Sequence, residues 1–240
     1  MDRVMRAQLL AEGIGTFLFF FVGAGSIVVM DYQTTNQSAG AGLLGVALAH
    51  GLALGVLVSA FGPISGGHFN PAVTFGVWIA GRIDGARAIV YVVAQLVGAV
   101  VAGLALRGIF AENVWRVSNI GTPSLGPGVG MATGIAVEAI LTLLLLFAVF
   151  GTAVDPRAPK IGGLAIGLAV AADILMGGPL TGAAMNPARW FGPAVASGHL
   201  DNALVWIVGP LLGAAVAAAV YRWVLAEEAD LGRTPATPEP

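Results

Sequence analysis

The chain has 240 residues, of which 57% are hydrophobic and only 10% are charged, with a mean hydropathy of +0.87 and a formal net charge of -2. These values exclude an ordinary soluble domain and indicate a protein built into a membrane. Cysteine is absent, which excludes disulfides and thiolate metal sites, and the small net charge gives no reason to expect a nucleic-acid partner.

Six apolar segments approach the length of about 20 residues that crosses a bilayer. Three of them contain no charged residue or histidine, and the other three are interrupted by one His, one Glu or one Asp. The first is too long for the core of a secretory signal and lacks a convincing cleavage site, so we expect it to remain in the protein. In chain order the predicted spans are 13–30, 40–60, 88–106, 131–153, 161–177 and 202–221.

The basic residues predict the orientation, because Lys and Arg in loops are retained on the cytoplasmic side of a membrane. With the N-terminus inside, Arg107 and Arg116 fall outside and Arg189 fits neither side. We therefore expect both termini in the cytoplasm, and the short stretch before the first span favours a prokaryotic inner membrane. The basic residues on the cytoplasmic side are Arg3, Arg6, Arg82, Arg87, Arg157, Lys160, Arg222 and Arg233.

The triplet Asn-Pro-Ala occurs twice, at 70–72 and at 186–188. Asn is a preferred N-cap and Pro a preferred first helical residue, so each triplet predicts a helix that begins inside the membrane. From Asn70 to Ala80, about 11 residues give roughly 16 Å of helix, which is half of a ~30 Å hydrocarbon core. We predict two half-helices, ended by Gly81 and by Gly198.

The two halves of the chain are similar to each other. The segments "SGGHFNPAVTFG" and "TGAAMNPARWFG" are identical at half of their positions, and Glu12 in "AEGIGT" has a counterpart in Glu138 of "VEAILT". Because three spans per half is an odd number, the second copy enters the bilayer in the opposite sense. The sequence thus predicts an all-α membrane protein with six transmembrane helices plus two half-helices in an inverted repeat. We divide it into a membrane domain, 1–225, with repeats at 6–110 and 128–225, and a disordered tail, 226–240.

Half-helices that enter from opposite faces would meet near the midplane with their N-termini facing each other. Each N-terminus adds about +0.5 charge, which disfavours cations, and each Asn can accept a backbone N–H while its NH2 group stays free to donate into a cavity. Backbone before each Asn must be buried or line an aqueous cavity, and its carbonyl oxygens then suit a single file of small neutral molecules. The predicted carbonyl set is Gly66, Gly67, His68, Gly182 and Ala184.

Two Asn-Pro-Ala boxes in an inverted repeat, the "AExxGT" start at Ala11, "SGGHFNPAVT" and "NPARxFGPA" together resemble the aquaporins, the major intrinsic protein family. The resemblance covers about 6–225 and makes 1–225 the channel domain. It implies a homotetramer in the lipid bilayer with one pore per subunit. The pore boxes are then Asn70, Pro71, Ala72, Asn186, Pro187 and Ala188.

The resemblance also implies a selectivity filter, the narrowest part of the pore, near the outer face. Counting from the boxes places it at His50, Ile174, Ala183 and Arg189. This quartet resembles the tonoplast-type plant branch, which implies a passive channel for water, and also for ammonia, hydrogen peroxide or urea, that excludes protons and ions. A glycerol or small-polyol facilitator is the alternative, although such facilitators commonly carry Asp where this chain has Trp190.

Glu12 and Glu138 lie inside predicted spans, where a carboxylate is costly. Their matched places favour structural carboxylates that accept N–H bonds from the two loops, with a proton relay as the alternative. No nucleophile lies beside a base and no metal-ligand set is present, so we expect neither an enzyme nor a cofactor. An ion-coupled transporter would need titratable groups at the midplane, where this chain has Asn and Ala.

Overall fold

The computed structural model describes residues 2–159 and 161–226. Every regular element within these ranges is a helix, as the sequence predicts. Two of the helices, α6 and α9, continue into single π-helical turns at Phe150–Val154 and Tyr221–Leu225. In chain order the helices are α1 (Arg3–Thr35), α2 (Gly42–Ser65), α3 (Pro71–Ile79), α4 (Gly85–Ile109), α5 (Glu112–Trp115), α6 (Met131–Val149), α7 (Leu164–Thr181), α8 (Pro187–Ser197) and α9 (Ala203–Val220).

Six helices in the described ranges, α1, α2, α4, α6, α7 and α9, are long and apolar enough to cross a membrane. They confirm the six predicted spans. The longest, α1, has 33 residues and begins well before the predicted boundary, because Asp2 accepts the Met5 backbone N–H at 2.7 Å and caps it. The short helix α5, between α4 and α6, was not predicted.

Small residues bring the long helices together in two matching pairs. In the α1–α4 pair a Cβ on Gly98 would strike the Gly13 carbonyl oxygen, and in the α6–α9 pair a Cβ on Gly213 would strike the Ala139 carbonyl oxygen. Such close backbone approach is typical of helix contacts in membranes. The equivalent helices of the two halves therefore pack in the same way.

The helices α2 and α7, one from each half, cross each other on glycine. A Cβ on Gly51 would lie 2.6 Å from the Gly167 carbonyl oxygen, and a Cβ on Gly55 would lie 3.4 Å from the Gly163 carbonyl oxygen. Each helix thus contributes a pair of glycines four residues apart, the small-residue motif of membrane helix crossings. This crossing joins the two halves beside the segments that precede α3 and α8.

The half-helices α3 and α8 begin at the two predicted caps. Asn70 and Asn186 have extended backbone, and their side-chain oxygens accept the N–H groups of Ala72 at 2.8 Å and Ala188 at 3.0 Å. The helices have 9 and 11 residues, about 14 and 16 Å, so neither can span a bilayer. The C-cap of α8 is Gly198, with φ of 80°, whereas the C-cap of α3 is Ala80, one residue before Gly81.

The predicted tail, 226–240, lies outside the described residues except for Ala226. The boundaries of the membrane domain and of its repeats stay predictions.

Candidate functional site

A cavity lies among the helices of both halves, lined by side chains of α1, α2, α3, α6, α7 and α8 and by the two loops before the half-helices. It brings together ten of the residues that the sequence singles out. These are His50, Gly66, Gly67, His68, Asn70, Ile174, Ala183, Ala184, Asn186 and Arg189.

Seven other predicted residues are not among those that line the cavity. Gly182 is the C-cap of α7, with φ of 78°, and a Cβ built on it would lie 2.9 Å from Pro123 Cα. Its place in the carbonyl set stays a prediction. The remaining six are buried behind the lining as helix starts or loop anchors. They are Glu12, Pro71, Ala72, Glu138, Pro187 and Ala188.

The two half-helices meet through reciprocal hydrogen bonds of their capping side chains. Asn70 Nδ2 donates to the Met185 carbonyl oxygen at 2.9 Å, and Asn186 Nδ2 donates to the Phe69 carbonyl oxygen at 3.0 Å. The expectation that each NH2 group is wholly available to the cavity is therefore wrong, because each donates one N–H across the junction. An amide nitrogen carries two hydrogens, so one N–H per Asn remains for a molecule in the cavity.

Arg189 lines the cavity, is buried and is held by two acceptors. Its Nε donates to His50 Nε2 at 3.1 Å, and its Nη1 donates to the Gly121 carbonyl oxygen at 2.7 Å. Because the guanidinium can only donate, His50 Nε2 is the acceptor and the ring proton lies on Nδ1, which faces the Val46 carbonyl oxygen at 2.9 Å. The predicted filter pair is thus a neutral imidazole that orients a cation.

The loop before α3 is anchored on the carboxylate of Glu12, which is fully buried. Its Oε1 accepts from the Ser65 hydroxyl at 2.7 Å and the His68 N–H at 3.0 Å. Its Oε2 accepts from the Phe69 N–H and from Gln95 Nε2, both at 2.8 Å. All four partners donate, which suits an ionised carboxylate and offsets its burial.

The loop before α8 is anchored in the same way on Glu138, also fully buried. Its Oε1 accepts from the Thr181 hydroxyl at 2.7 Å and the Ala184 N–H at 2.9 Å, and its Oε2 accepts from the Met185 N–H at 2.7 Å. This anchor has three donors rather than four. The two carboxylates hold backbone N–H groups on one side of each loop, which leaves the carbonyl oxygens of the other side for the cavity.

Two aromatic side chains hold the ends of α2 and α7, and the sequence analysis did not identify them. The Tyr91 hydroxyl donates to the Ser65 carbonyl oxygen at 3.0 Å, and Trp206 Nε1 donates to the Thr181 carbonyl oxygen at 2.9 Å. The Trp206 ring also stacks on Trp190, with centroids 6.1 Å apart and planes at 10°. The similarity of the two halves could have indicated this pair, because Tyr91 and Trp206 occupy matching positions in α4 and α9.

The sequence analysis also missed most of the apolar wall of the cavity. Part of this wall lies at four-residue intervals from His50 along α2 and from Ile174 along α7, so extending those intervals would have found the residues on these two helices, but not the others. The stripes are Leu54 and Val58 on α2, Ile166 and Val170 on α7, and Leu145, Val149 and Ala153 on the α6 side, joined by Phe19, Val73, Val77, Val154 and Met185.

Asp173 is a neighbour of the filter in sequence but not a lining residue of the cavity. It is buried on α7, and its Oδ2 has no hydrogen-bond partner among the described residues. No group of three or more His, Cys, Asp or Glu that could hold a metal ion occurs in the described ranges.

The family model described as major intrinsic protein matches residues 3–221 of the chain. The chain therefore belongs to the major intrinsic protein family, as the sequence resemblance implied. The matched range includes both Asn-Pro-Ala boxes.

Among its relatives, the chain is 48% identical over 225 residues to a protein named probable aquaporin TIP3-2 from Arabidopsis thaliana, a match that covers 90% of this chain and 82% of the relative. It is 47% identical over 226 residues to probable aquaporin TIP-type alpha from Phaseolus vulgaris, covering 92% and 86%. Aquaporin TIP1-2 from Zea mays is 46% identical over 215 residues, covering 88% and 83%. These names agree with the tonoplast-type resemblance of the sequence.

Among solved structures, the X-ray structure of the aquaglyceroporin from Plasmodium falciparum superposes with a TM-score of 0.76. The match covers 95% of this chain and 99% of that one at 24% sequence identity. At this identity the likeness shows the shared fold alone.

Proposed function

We propose that the chain is a passive channel that conducts water through the cavity between its two halves, as the aquaporin names of its relatives suggest. We call this cavity the conduit. The observation that carries the proposal is the junction of Asn70 and Asn186, which places two amide donors and two helix N-termini at one point of the conduit. A water molecule there would accept from both amides and turn its own hydrogens outward.

This junction also gives the physical basis for excluding ions. The two helix N-termini add about half a positive charge each, and the buried guanidinium of Arg189 adds a full charge at the filter. A water oxygen that accepts from both Asn side chains cannot also accept a proton from the next molecule in the file. The positive charges repel cations, and the hydrogen-bonded chain of water molecules that could relay a proton is interrupted. Neutral molecules are not repelled by these charges.

We further propose that ammonia, hydrogen peroxide and urea share the conduit. The predicted filter combines two apolar residues, Ile174 and Ala183, with two polar ones, His50 and Arg189, and all four line the cavity. Small neutral solutes can accept from the Arg189 guanidinium without filling a narrow polar ring. A glycerol or small-polyol facilitator is the competing assignment, and the solute measurements below separate the two.

We propose a homotetramer with one conduit per subunit, in which 1–225 forms the channel domain. Many large apolar side chains lie exposed on the outer faces of the long helices, which suits contact with lipid and with other subunits. The prokaryotic inner membrane and cytoplasmic termini stay parts of the proposal, and the plant relatives give the first of these no support. Native mass spectrometry of the detergent-solubilised protein tests the tetramer, and fractionation of the source cells tests the membrane.

The experiment that tests the function is stopped-flow light scattering on proteoliposomes. Purified protein should accelerate shrinkage in an impermeant osmolyte without any proton or ion gradient. Ile174→Trp is the matched control, because an indole at this lining position is large enough to fill the filter. Water flux equal to that of protein-free vesicles, or flux that depends on a proton gradient, would contradict the proposal.

The same vesicles show which solutes the protein conducts. Reswelling in urea and in an ammonium gradient should be fast and blocked by Ile174→Trp, whereas reswelling in glycerol should be slow. Rapid glycerol entry would move the chain to the facilitator class.

A further inference from the structure

Gly23 lies on α1 directly behind the imidazole of His50. A Cβ built on Gly23 would lie 2.6 Å from His50 Cδ2, 2.7 Å from Nε2 and 3.1 Å from Cγ. The first two distances are shorter than real carbon contacts allow. Gly23 is itself buried, and it is not among the residues that line the cavity. The absence of a side chain at this position therefore creates the space that the filter ring occupies.

The ring cannot move without losing a contact, because both of its nitrogens are engaged. Nδ1 faces the Val46 carbonyl oxygen at 2.9 Å, and Nε2 accepts from Arg189 at 3.1 Å. Phe19, another residue of α1 that lines the cavity, meets the ring edge-on with centroids 6.2 Å apart. A methyl group on Gly23 would push against a side chain that is held on three sides.

The direction of such a shift follows from the arrangement. His50 lines the cavity and Gly23 does not, so we infer that a methyl group on Gly23 would drive the imidazole toward the lumen. Displacement of Nε2 would also remove the acceptor that orients the Arg189 Nε. The opening would become smaller, and the guanidinium would keep only its bond to Gly121.

We propose that Gly23 is a positioning residue of the filter, which sets how far His50 projects into the conduit and thereby sets the size of the opening. This inference rests on the proposed channel function and deepens it, because it adds a residue of α1 to a filter otherwise built from α2, α7, α8 and the loop before α8. It acts through His50 and touches no permeating molecule.

Gly25, two residues further along α1, offers a matched control. It is also a buried glycine of the same helix, but a Cβ there would meet only Leu106 Cδ2, at 3.1 Å. The end of a leucine side chain can give way by a few tenths of an ångström. Gly25→Ala therefore introduces the same methyl group with the same gain in helix propensity, away from the filter.

The test compares Gly23→Ala, Gly25→Ala, His50→Ala and the double variant Gly23→Ala/His50→Ala in proteoliposomes. We expect Gly23→Ala to lower water permeability by about threefold and urea permeability by more than that, because the larger solute feels the narrowing more. Gly25→Ala should match the wild type. In the His50→Ala background the added methyl group should have no effect, since the ring it would displace is absent.

Two outcomes overturn the inference: a water and urea permeability of Gly23→Ala equal to that of Gly25→Ala, or an equal loss in both His50 backgrounds. If Gly23→Ala alone is not recovered as folded protein, the double variant should restore folding, and failure to do so also overturns it.

A second readout separates this inference from the proposed function. The chain has only 3 histidines, so the ring nitrogens of His50 can be assigned by nitrogen NMR from the signal lost in His50→Ala. The Nε2 signal should move in Gly23→Ala and stay in place in Gly25→Ala. If the wild type conducts no water, the channel function fails, yet this signal still decides whether Gly23 positions the ring; an unmoved signal contradicts the inference.

Discussion

The loops before α3 and α8 follow matching backbone paths but are supported by different chemistry. In the first half the anchor Glu12 is reached by Gln95, whose amide also donates to Thr74 at 2.9 Å, so a polar network lies behind the loop. In the second half no side-chain amide reaches Glu138 in the described structure. Trp190, at the position that matches Thr74, instead stacks on Trp206. The comparison shows that the carboxylate and the backbone N–H groups define the loop, while its support can be polar or aromatic.

The halves differ again at the residue after each box. Arg189 follows Asn-Pro-Ala in the second half, where the first half has Val73, and both residues line the cavity. The second box is therefore followed by a cation that faces the cavity, whereas the first is followed by an apolar side chain. A symmetric backbone thus carries an asymmetric filter.

The anchors should respond differently to the loss of their charge, and this is the largest effect we expect. Glu138→Gln places an NH2 group against donors only, which should lower the free energy of unfolding by about 3 kcal/mol. In Glu12→Gln the carboxamide of Gln95 can rotate, because its Oε1 has no partner among the described residues, and accept from the new NH2 group. That loss should be about half as large. Thermal unfolding in detergent measures both, and equal losses would show that the polar network offers no such adjustment.

The second comparison is between Tyr91 and Trp206, the aromatic side chains that hold the ends of α2 and α7. Tyr91→Phe removes only the hydroxyl that donates to the Ser65 carbonyl oxygen, at a cost of about 1 kcal/mol. Trp206→Phe removes the bond to Thr181 and part of the stack on Trp190, at a cost of about 2 kcal/mol. The midpoint of thermal unfolding should fall further for Trp206→Phe. The reverse order would mean that Tyr91 contributes more to stability than Trp206.

Arg189→Val gives the second box the residue of the first and tests the asymmetric filter. Removal of the guanidinium widens the opening and removes its charge, so urea and glycerol permeability should rise about tenfold, equivalent to a barrier lowered by roughly 1.4 kcal/mol. Cations should begin to leak. Reswelling and ion-flux assays on proteoliposomes measure these changes, with Val73→Ala, which changes the matching residue of the first half, as the control. Unchanged selectivity would remove Arg189 from the filter.

The smallest effect concerns the matched loop positions 67 and 183. Gly67 has φ of 64°, and a Cβ there would lie 3.3 Å from Val58 Cα, so Gly67→Ala should cost about 1 kcal/mol. Ala183 already adopts φ of 44°, and Ala183→Gly relieves this strain while it loses a buried methyl group. Its net effect on thermal unfolding should be less than about 0.5 kcal/mol. A large loss in Ala183→Gly would mean that the methyl group itself supports the filter.

Local chemistry explains which parts of this fold could be predicted from the sequence. The half-helices were predictable because the cap and the first turn of each are determined by adjacent Asn and Pro residues, and the spans because apolar length alone determines them. The contacts of Gln95 with Glu12 and of Arg189 with His50 could not be predicted, since they join residues 83 and 139 positions apart whose helices meet only in the packed bundle.

The sequence also missed how Asn70 and Asn186 are used. The capping rule predicted their side-chain oxygens correctly, but it contains nothing about the opposite loop that takes one N–H of each amide. These hydrogen bonds between the two halves are visible only in the folded structure.

Those reciprocal bonds have a consequence for how the protein is made. During synthesis the first half enters the membrane before the second exists. Until the second half is made, the Phe69 carbonyl oxygen lacks its donor, Asn186, and the Asn70 amide lacks its acceptor, the Met185 carbonyl oxygen. Unsatisfied backbone groups in the bilayer are costly. The nascent first half should therefore hold its loop open, or remain beside the insertion machinery, until the ribosome has delivered its counterpart.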